Sequence, residues 1–207
     1  MDGYVQESLR RYGHPNPKKP KLSLHKHCPI VYGAKMQYAT EDEHSLPLND
    51  KGVRSVQRIV GSLMHIARAV NNKILVGLIA IGAQQANATE AISEAINQIL
   101  DYVATYVNND IAYRASDMVL CGNSDAVYLN KTKSRSRAVA YIFLSEDDAV
   151  LRLNGPVLTV TQIIKFVMSS AAEAEIADLF ITAKLMAPMQ QTIIKMGWPH
   201  PKSLIKT

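Results

Sequence analysis

Asn123-Ser124-Asp125-Ala126-Val127-Tyr128-Leu129, followed about fifty positions later by Ser169-Ser170-Ala171-Ala172-Glu173-Ala174-Glu175-Ile176, decides how this chain is read. The first segment closes a run from Met118 to Tyr128 rich in branched and small residues, which predicts a β-strand carrying one carboxylate, Asp125. The second opens on two serines, and either hydroxyl can cap a helix by accepting an N–H from its first turn. That helix carries Glu173 and Glu175. Two positions correspond to roughly 200° around a helix of about 3.6 residues per turn, so the two glutamates cannot serve one point in space. A strand acid and a helix acid brought together would make a site for hard cations.

Working outward, Ala138 to Leu144 and Val157 to Ile164 read as two further strands, with Asn154-Gly155-Pro156 supplying a turn before the second. Pro188 should kink or restart the long helix, and Gly197, Pro199 and Pro201 should end it. Ser203 to Thr207 looks like the opening of one more strand, an edge that a partner or a second copy can extend.

The residues before 111 carry a different period. Residues 4 to 12 form a short amphipathic pattern stopped by Gly13-His14-Pro15-Asn16-Pro17. Lys18, Lys19, Lys21 and Lys26, among prolines and histidines, predict an extended, solvated connector through His27. From Gly52, Val53, Val56, Val60, Leu63, Ala67 and Val70 recur at three and four, the spacing of a helix burying one stripe, with Arg54, Arg58 and His65 off that stripe. Lys73 to Gln85 predicts a second helix, apolar nearly all round and so central to a bundle. Asn87, with Glu90 three residues on, predicts the cap of a third, whose buried face is Ile92, Ile96, Ile99, Leu100 and Val103. The whole is an α+β pattern: a helical, basic region over 1–110, then a mixed sheet with one long helix over 111–207.

The chain has 207 residues, 47% of them hydrophobic, enough for a packed core in one ordinary domain or two small ones. A formal charge of +5 favours an anionic partner, with nucleic acid ahead of a membrane surface. Cys28 and Cys121 show no metal-binding spacing and do not make a disulfide framework, which points to a reducing, intracellular compartment, cytoplasmic or nuclear. Met1-Asp2-Gly3-Tyr4 lacks the features of a signal peptide. The apolar run Ile74 to Ile81 falls short of the ~20 residues a membrane helix needs. Lys131, Lys133, Arg135 and Arg137 alternate, so an extended chain places them on one face, able to meet phosphates. A charged hairpin edge that resists aggregation is the alternative. Tyr32, Tyr38, Tyr128 and Trp198 are candidates for stacking on bases, though scattered aromatics commonly serve packing.

Three segments resemble the carboxy-terminal part of the reverse transcriptase of copia-type LTR retrotransposons, from thumb helices into the RNase H domain. Val56-Gln57-Arg58-Ile59-Val60-Gly61-Ser62-Leu63-Met64-His65 is similar to that family's "YRQLVGSLLY" helix, Asn123 to Tyr128 to its "YSDADW" strand, and Ser169 to Glu175 to its "SSTEAE" helix. Val31-Tyr32-Gly33-Ala34-Lys35 and Met1-Asp2-Gly3-Tyr4-Val5 also look like segments between palm and thumb.

The resemblance implies a nucleic-acid-binding fragment, meeting an RNA–DNA hybrid or a template–primer, with Arg54 and Arg58 on the thumb-like helix. It implies that Asp125 and Glu175 are catalytic and hold Mg2+ or Mn2+, Glu175 being preferred to Glu173 because Ile176 and Ala177 follow it as the family pattern requires. The intact parent would be an RNA-directed DNA polymerase with RNase H activity. This chain lacks a paired-aspartate "YVDD" motif, and the family's third carboxylate follows a Thr at the end of the fourth strand, the place Thr207 holds here. With two of four ligands, weak metal binding and no catalysis by this chain are expected. Asp178 adds a carboxylate one turn past Glu175 where the family is apolar or small, and reads as a solvated helix residue, with rescue of one missing metal ligand as the alternative. The alternative function is that of a retroelement-derived structural or protein-interaction subunit.

Overall fold

The computed structural model describes residues 3–25, 45–131, 135–147, 152–198 and 202–207. Lys26, His27, Cys28, Tyr32, Tyr38, His44, Lys133, Pro199, Pro201 and the segment 31–35 lie outside the described residues, as do Met1 and Asp2. The architecture is α+β, with helices first and a four-stranded mixed sheet afterwards. The described residues form two compact units, one ending at Ile111 and the other beginning at Ala112.

The first unit contains α1 (Tyr4–Arg11), α2 (Asp50–Ala69), α3 (Leu75–Gly82) and α4 (Glu90–Thr105). Asn49 caps α2 by accepting the Gly52 N–H at 2.9 Å. Its threefold-and-fourfold stripe is buried at Val56, Val60, Leu63 and Ala67, packed with Leu75 and Leu78 of α3 and Ile96, Ile99, Leu100 and Val103 of α4. The second helix is shorter than its apolar run: Asn72–Ile74 is a 3-10 turn, α3 stops at Gly82, and Gln85–Asn87 is a second 3-10 turn. Asn87 therefore does not cap α4. Thr89 occupies that position without a side-chain bond, while Ser45 Oγ and the Leu46 carbonyl accept the N–H groups of Ala91 and Glu90 at 2.9 Å each. A distant segment has taken over the work of a local cap.

The lysines Lys18 and Lys19 are exposed and lie in no regular element, but their segment is pinned to α4. His14 Nε2 lies 2.8 Å from Asp101 Oδ1, the Lys21 N–H donates to Thr105 Oγ1 at 3.0 Å, and Gln98 Nε2 donates to the Ser23 carbonyl at 2.7 Å.

In the second unit β1 (Val119–Lys131), β2 (Arg135–Ser145) and β3 (Pro156–Ile163) form an antiparallel meander. Helix α5 (Ala171–Lys195) then crosses to β4 (Leu204–Lys206), which runs parallel to β1 and gives the order β3-β2-β1-β4. Alternation along β1 turns Leu120, Gly122, Ser124 and Ala126 toward α5, and Val119 and Cys121 to the other face, where Cys121 is a buried small hydrophobe. Gly122 lets the helix come close, since a Cβ there would sit 2.7 Å from the Met186 sulfur. Pro188 does not interrupt α5. It lies on the exposed side, so the Lys184 carbonyl that loses its helical partner faces water. The outer side of α5 exposes Ile176, Phe180 and Ile194.

Candidate functional site

Helix α5 begins with a reciprocal cap: Ser170 Oγ accepts the Glu173 N–H at 3.2 Å, and the Glu173 carboxylate accepts the Ser169 N–H at 2.8 Å. That bond from Ser169 holds the Glu173 carboxyl below the usual range. Glu173 thus has a structural partner of its own, and Glu175, two positions on and roughly 200° around the helix, points elsewhere.

Asp125 lies within β1 opposite Val139, not at a strand end. Pairing of β1 with β4 stops at Asn123 and Lys206, so the edge of β1 beside Asp125 is left open. A pocket of about 210 Å3 opens there, lined by Ser124, Asp125, Ala126, Glu175, Asp178 and Thr207. The strand acid and the helix acid, about fifty positions apart in sequence, thus share one cavity, and both are exposed to solvent.

Asp178 is the residue whose environment departs furthest from expectation. Its side chain is fully buried rather than solvated. Ala174, Asp178, Thr182 and Met186 recur every four positions on the side of α5 that meets the sheet, and the repeat carries the carboxylate inward. That spacing was the signal available in the sequence. Ser124 Oγ donates to Asp178 Oδ2 at 2.7 Å, while Oδ1 is buried and has no hydrogen-bond partner. Burial pushes the Asp178 carboxyl up from its ordinary 3.8 to about 6; the Ser124 hydroxyl and the N–H groups of Asp125 and Val139 offset part of this, and the Asp125 charge adds to it.

The basic residues divide. Arg54 and Arg58 lie exposed one turn apart on α2. Arg137 does not join a phosphate-facing row: it is 2% exposed, on the sheet face opposite α5, and burial lowers its pKa. Arg135 and Arg137 lie two apart on β2, but that face of the sheet is covered at Arg137, so the guanidinium is withdrawn from solvent. Arg135 is half-buried, Lys131 ends β1, and Lys133 lies outside the described residues. Tyr128 donates its hydroxyl to the Ser169 carbonyl at 3.0 Å, tying β1 to the start of α5, and Trp198 is half-exposed just past the helix.

Among the described residues, no three His, Cys, Asp or Glu side chains converge closely enough to hold a metal ion. Three carboxylates, Asp125, Glu175 and Asp178, line the pocket, the first two exposed and the third buried. No described helix is long and apolar enough to cross a membrane. No protein-family model, curated protein or solved structure matches the chain.

Proposed function

We propose that this chain is a nucleic-acid-binding fragment of a retroelement reverse transcriptase, in which the second unit is an RNase H-type domain and Asp125 and Glu175 are its metal-binding carboxylates. The observation that carries the reading is their meeting in one pocket. The copia resemblance requires a strand acid and a helix acid to come together, and neither composition nor local periodicity would bring them there. The sheet order supports it as well: an antiparallel three-strand meander, a crossing helix and a fourth strand parallel to the first place the open edge of β1 next to the helix.

In this reading Asp125 and Glu175 hold the cation by carboxylate oxygens from two elements, which fixes its position against the phosphate of a bound strand. The ion, when bound, supplies charge neutralisation at the scissile phosphate and an acidified water. Arg54 and Arg58, one turn apart on α2, contact backbone phosphates and give binding its salt dependence. The preferred ligand is an RNA–DNA hybrid or a template–primer. Two carboxylates alone hold such a hydrated cation weakly.

The test is binding and cleavage of a labelled RNA–DNA hybrid with Mg2+ or Mn2+ across a salt series, comparing the chain with Asp125→Asn and Glu175→Gln. Salt-sensitive binding without cleavage is the expected result. Cleavage lost in both variants would overturn the inactive reading and establish a working nuclease site. The exposed apolar side chains Ile176, Phe180 and Ile194 on α5 favour a second reading, a retroelement-derived subunit that docks on protein. Indifference to nucleic acid at low salt would move the function to that reading.

A further inference from the structure

Helix α5 is apolar on two sides. Ala174, Thr182, Met186 and Ile193 are buried on the side that meets the sheet. The other side carries Ile176 and Phe180, 66% and 68% exposed, and Ile194 at 37%. From Ile176 to Ile194 the one exposed charged residue is Lys184. A helix back that faces only water carries polar and charged residues at most of its positions, so an apolar stripe of this length marks a surface that meets something.

The spacing of the stripe bears on what it meets. Ile176, Phe180, Ala183, Ala187, Gln190 and Ile194 follow one another at four, three, four, three and four positions, the stepping of a coiled-coil seam. At about 100° per residue the six fall within roughly 80° of the helix surface. The series reads the same in both directions about position 185. A second α5 laid antiparallel on the first therefore sets Ile176 level with the partner's Ile194, Ala183 with the partner's Ala187 and Phe180 with the partner's Gln190. The alanines at the centre let the two axes approach to about 8 Å, the close end of helix packing. Gln190 already accepts the Ser203 hydroxyl, so it brings a paired polar group to the Phe180 layer. A parallel pair would stack Phe180 on Phe180 next to Ala183 on Ala183, wide and narrow in adjacent layers, and would align the helix dipoles. Ile176, Leu179, Phe180 and Ile194, with the exposed alanines of the stripe, offer roughly 550 Å2 per copy and so about 1,100 Å2 for the pair, just past the ~1,000 Å2 that a biological interface clears and in the range of weak, reversible ones.

We propose that the exposed face of α5 is a self-association surface, on which a second copy of this chain docks its own α5 antiparallel across a two-fold axis near position 185. The inference rests on the protein-docking reading of this face given above and names its occupant. It is independent of nucleic-acid binding. Glu175, which lines the pocket at β1, lies off the seam, about 100° around the helix from Ile176.

The experiment is sedimentation velocity of the full chain over a wide concentration series, comparing wild type with Phe180→Glu, Ile176→Glu and, as a control at an exposed position of β3, Val157→Glu, each checked for folding by circular dichroism. A reversible dimer with Kd of roughly 10–100 µM is expected for wild type and the control, weakened about tenfold or more in both α5 variants. Orientation is read by mixing Ile176→Cys chains with Ile194→Cys chains under mild oxidation, with wild type as the blank for Cys28 and Cys121. Disulfide-linked heterodimers should form faster than either homodimer. A chain that stays monomeric throughout the series overturns the inference and leaves the face to a different protein. A dimer as strong in Phe180→Glu and Ile176→Glu as in wild type overturns it as well. Ile176→Cys chains that link to one another as readily as to Ile194→Cys chains refute the antiparallel pairing and with it the proposal.

Discussion

Replacing Asp178 by Asn should stabilise the second unit at neutral pH, and by an amount that the burial of this carboxyl sets. Its pKa is raised from 3.8 in the unfolded chain to about 6 in the fold, so between those values the folded state binds more protons than the unfolded one. Stability from this group is therefore fully present below about pH 4 and is lost as the pH rises through 6. The difference of about two pH units in proton affinity corresponds to about 3 kcal/mol at about 1.4 kcal/mol per unit, an upper value because the pocket admits water. Asn is nearly isosteric, keeps an oxygen for the Ser124 hydroxyl and carries no charge, so it escapes the penalty. At pH 4 the two proteins should unfold alike. At pH 7.5 the Asn variant should be more stable by about 2–3 kcal/mol, or roughly 10–20 °C in Tm for a unit of this size. Urea unfolding followed by fluorescence reads this unit selectively, since Trp198, the chain's one tryptophan, follows α5. Other carboxylates titrate over the same range, so the quantity to take is the difference between variant and wild type at each pH. An Asn variant that is no more stable at pH 7.5, or equally shifted at both pH values, would refute the account of Asp178 as a buried, strained carboxylate.

Arg54→Ala combined with Arg58→Ala is expected to weaken hybrid binding and to lower the slope of log affinity against log salt by up to about 2, one for each phosphate contact, as a filter-binding salt series would measure. Arg137→Ala, by contrast, should leave that slope unchanged while lowering the unfolding midpoint, because its side chain is buried in the sheet. Gly122→Val is expected to cost about 1–3 kcal/mol through the clash with Met186, measured by the same Trp198-monitored melt; an unchanged midpoint would mean that α5 does not lie as close to β1 as described.

Much of the fold was legible because hydrophobic period and capping act locally. The α2 stripe, the buried face of α4, the three meander strands and the serine cap of α5 all follow from residues within a few positions of one another. The departures arose where distant residues intervene. Ser45 and Leu46 start α4 in place of Asn87, the exposed side of α5 tolerates Pro188, and a covered sheet face removes Arg137 from solvent.

By itself, then, the sequence determined the class of the fold and the order of its elements, since these depend on residue type and short-range spacing; Asp125 and Glu175 were singled out by the resemblance, not by spacing. Tertiary structure decided that the two acids share one cavity at the open edge of β1, and that Asp178 joins them from the buried side. The physical reason is desolvation. Whether a carboxylate on a helix is a solvated surface group or a buried one depends on what packs over it, and in this chain that is a strand about fifty residues earlier, bonded to Asp178 through Ser124.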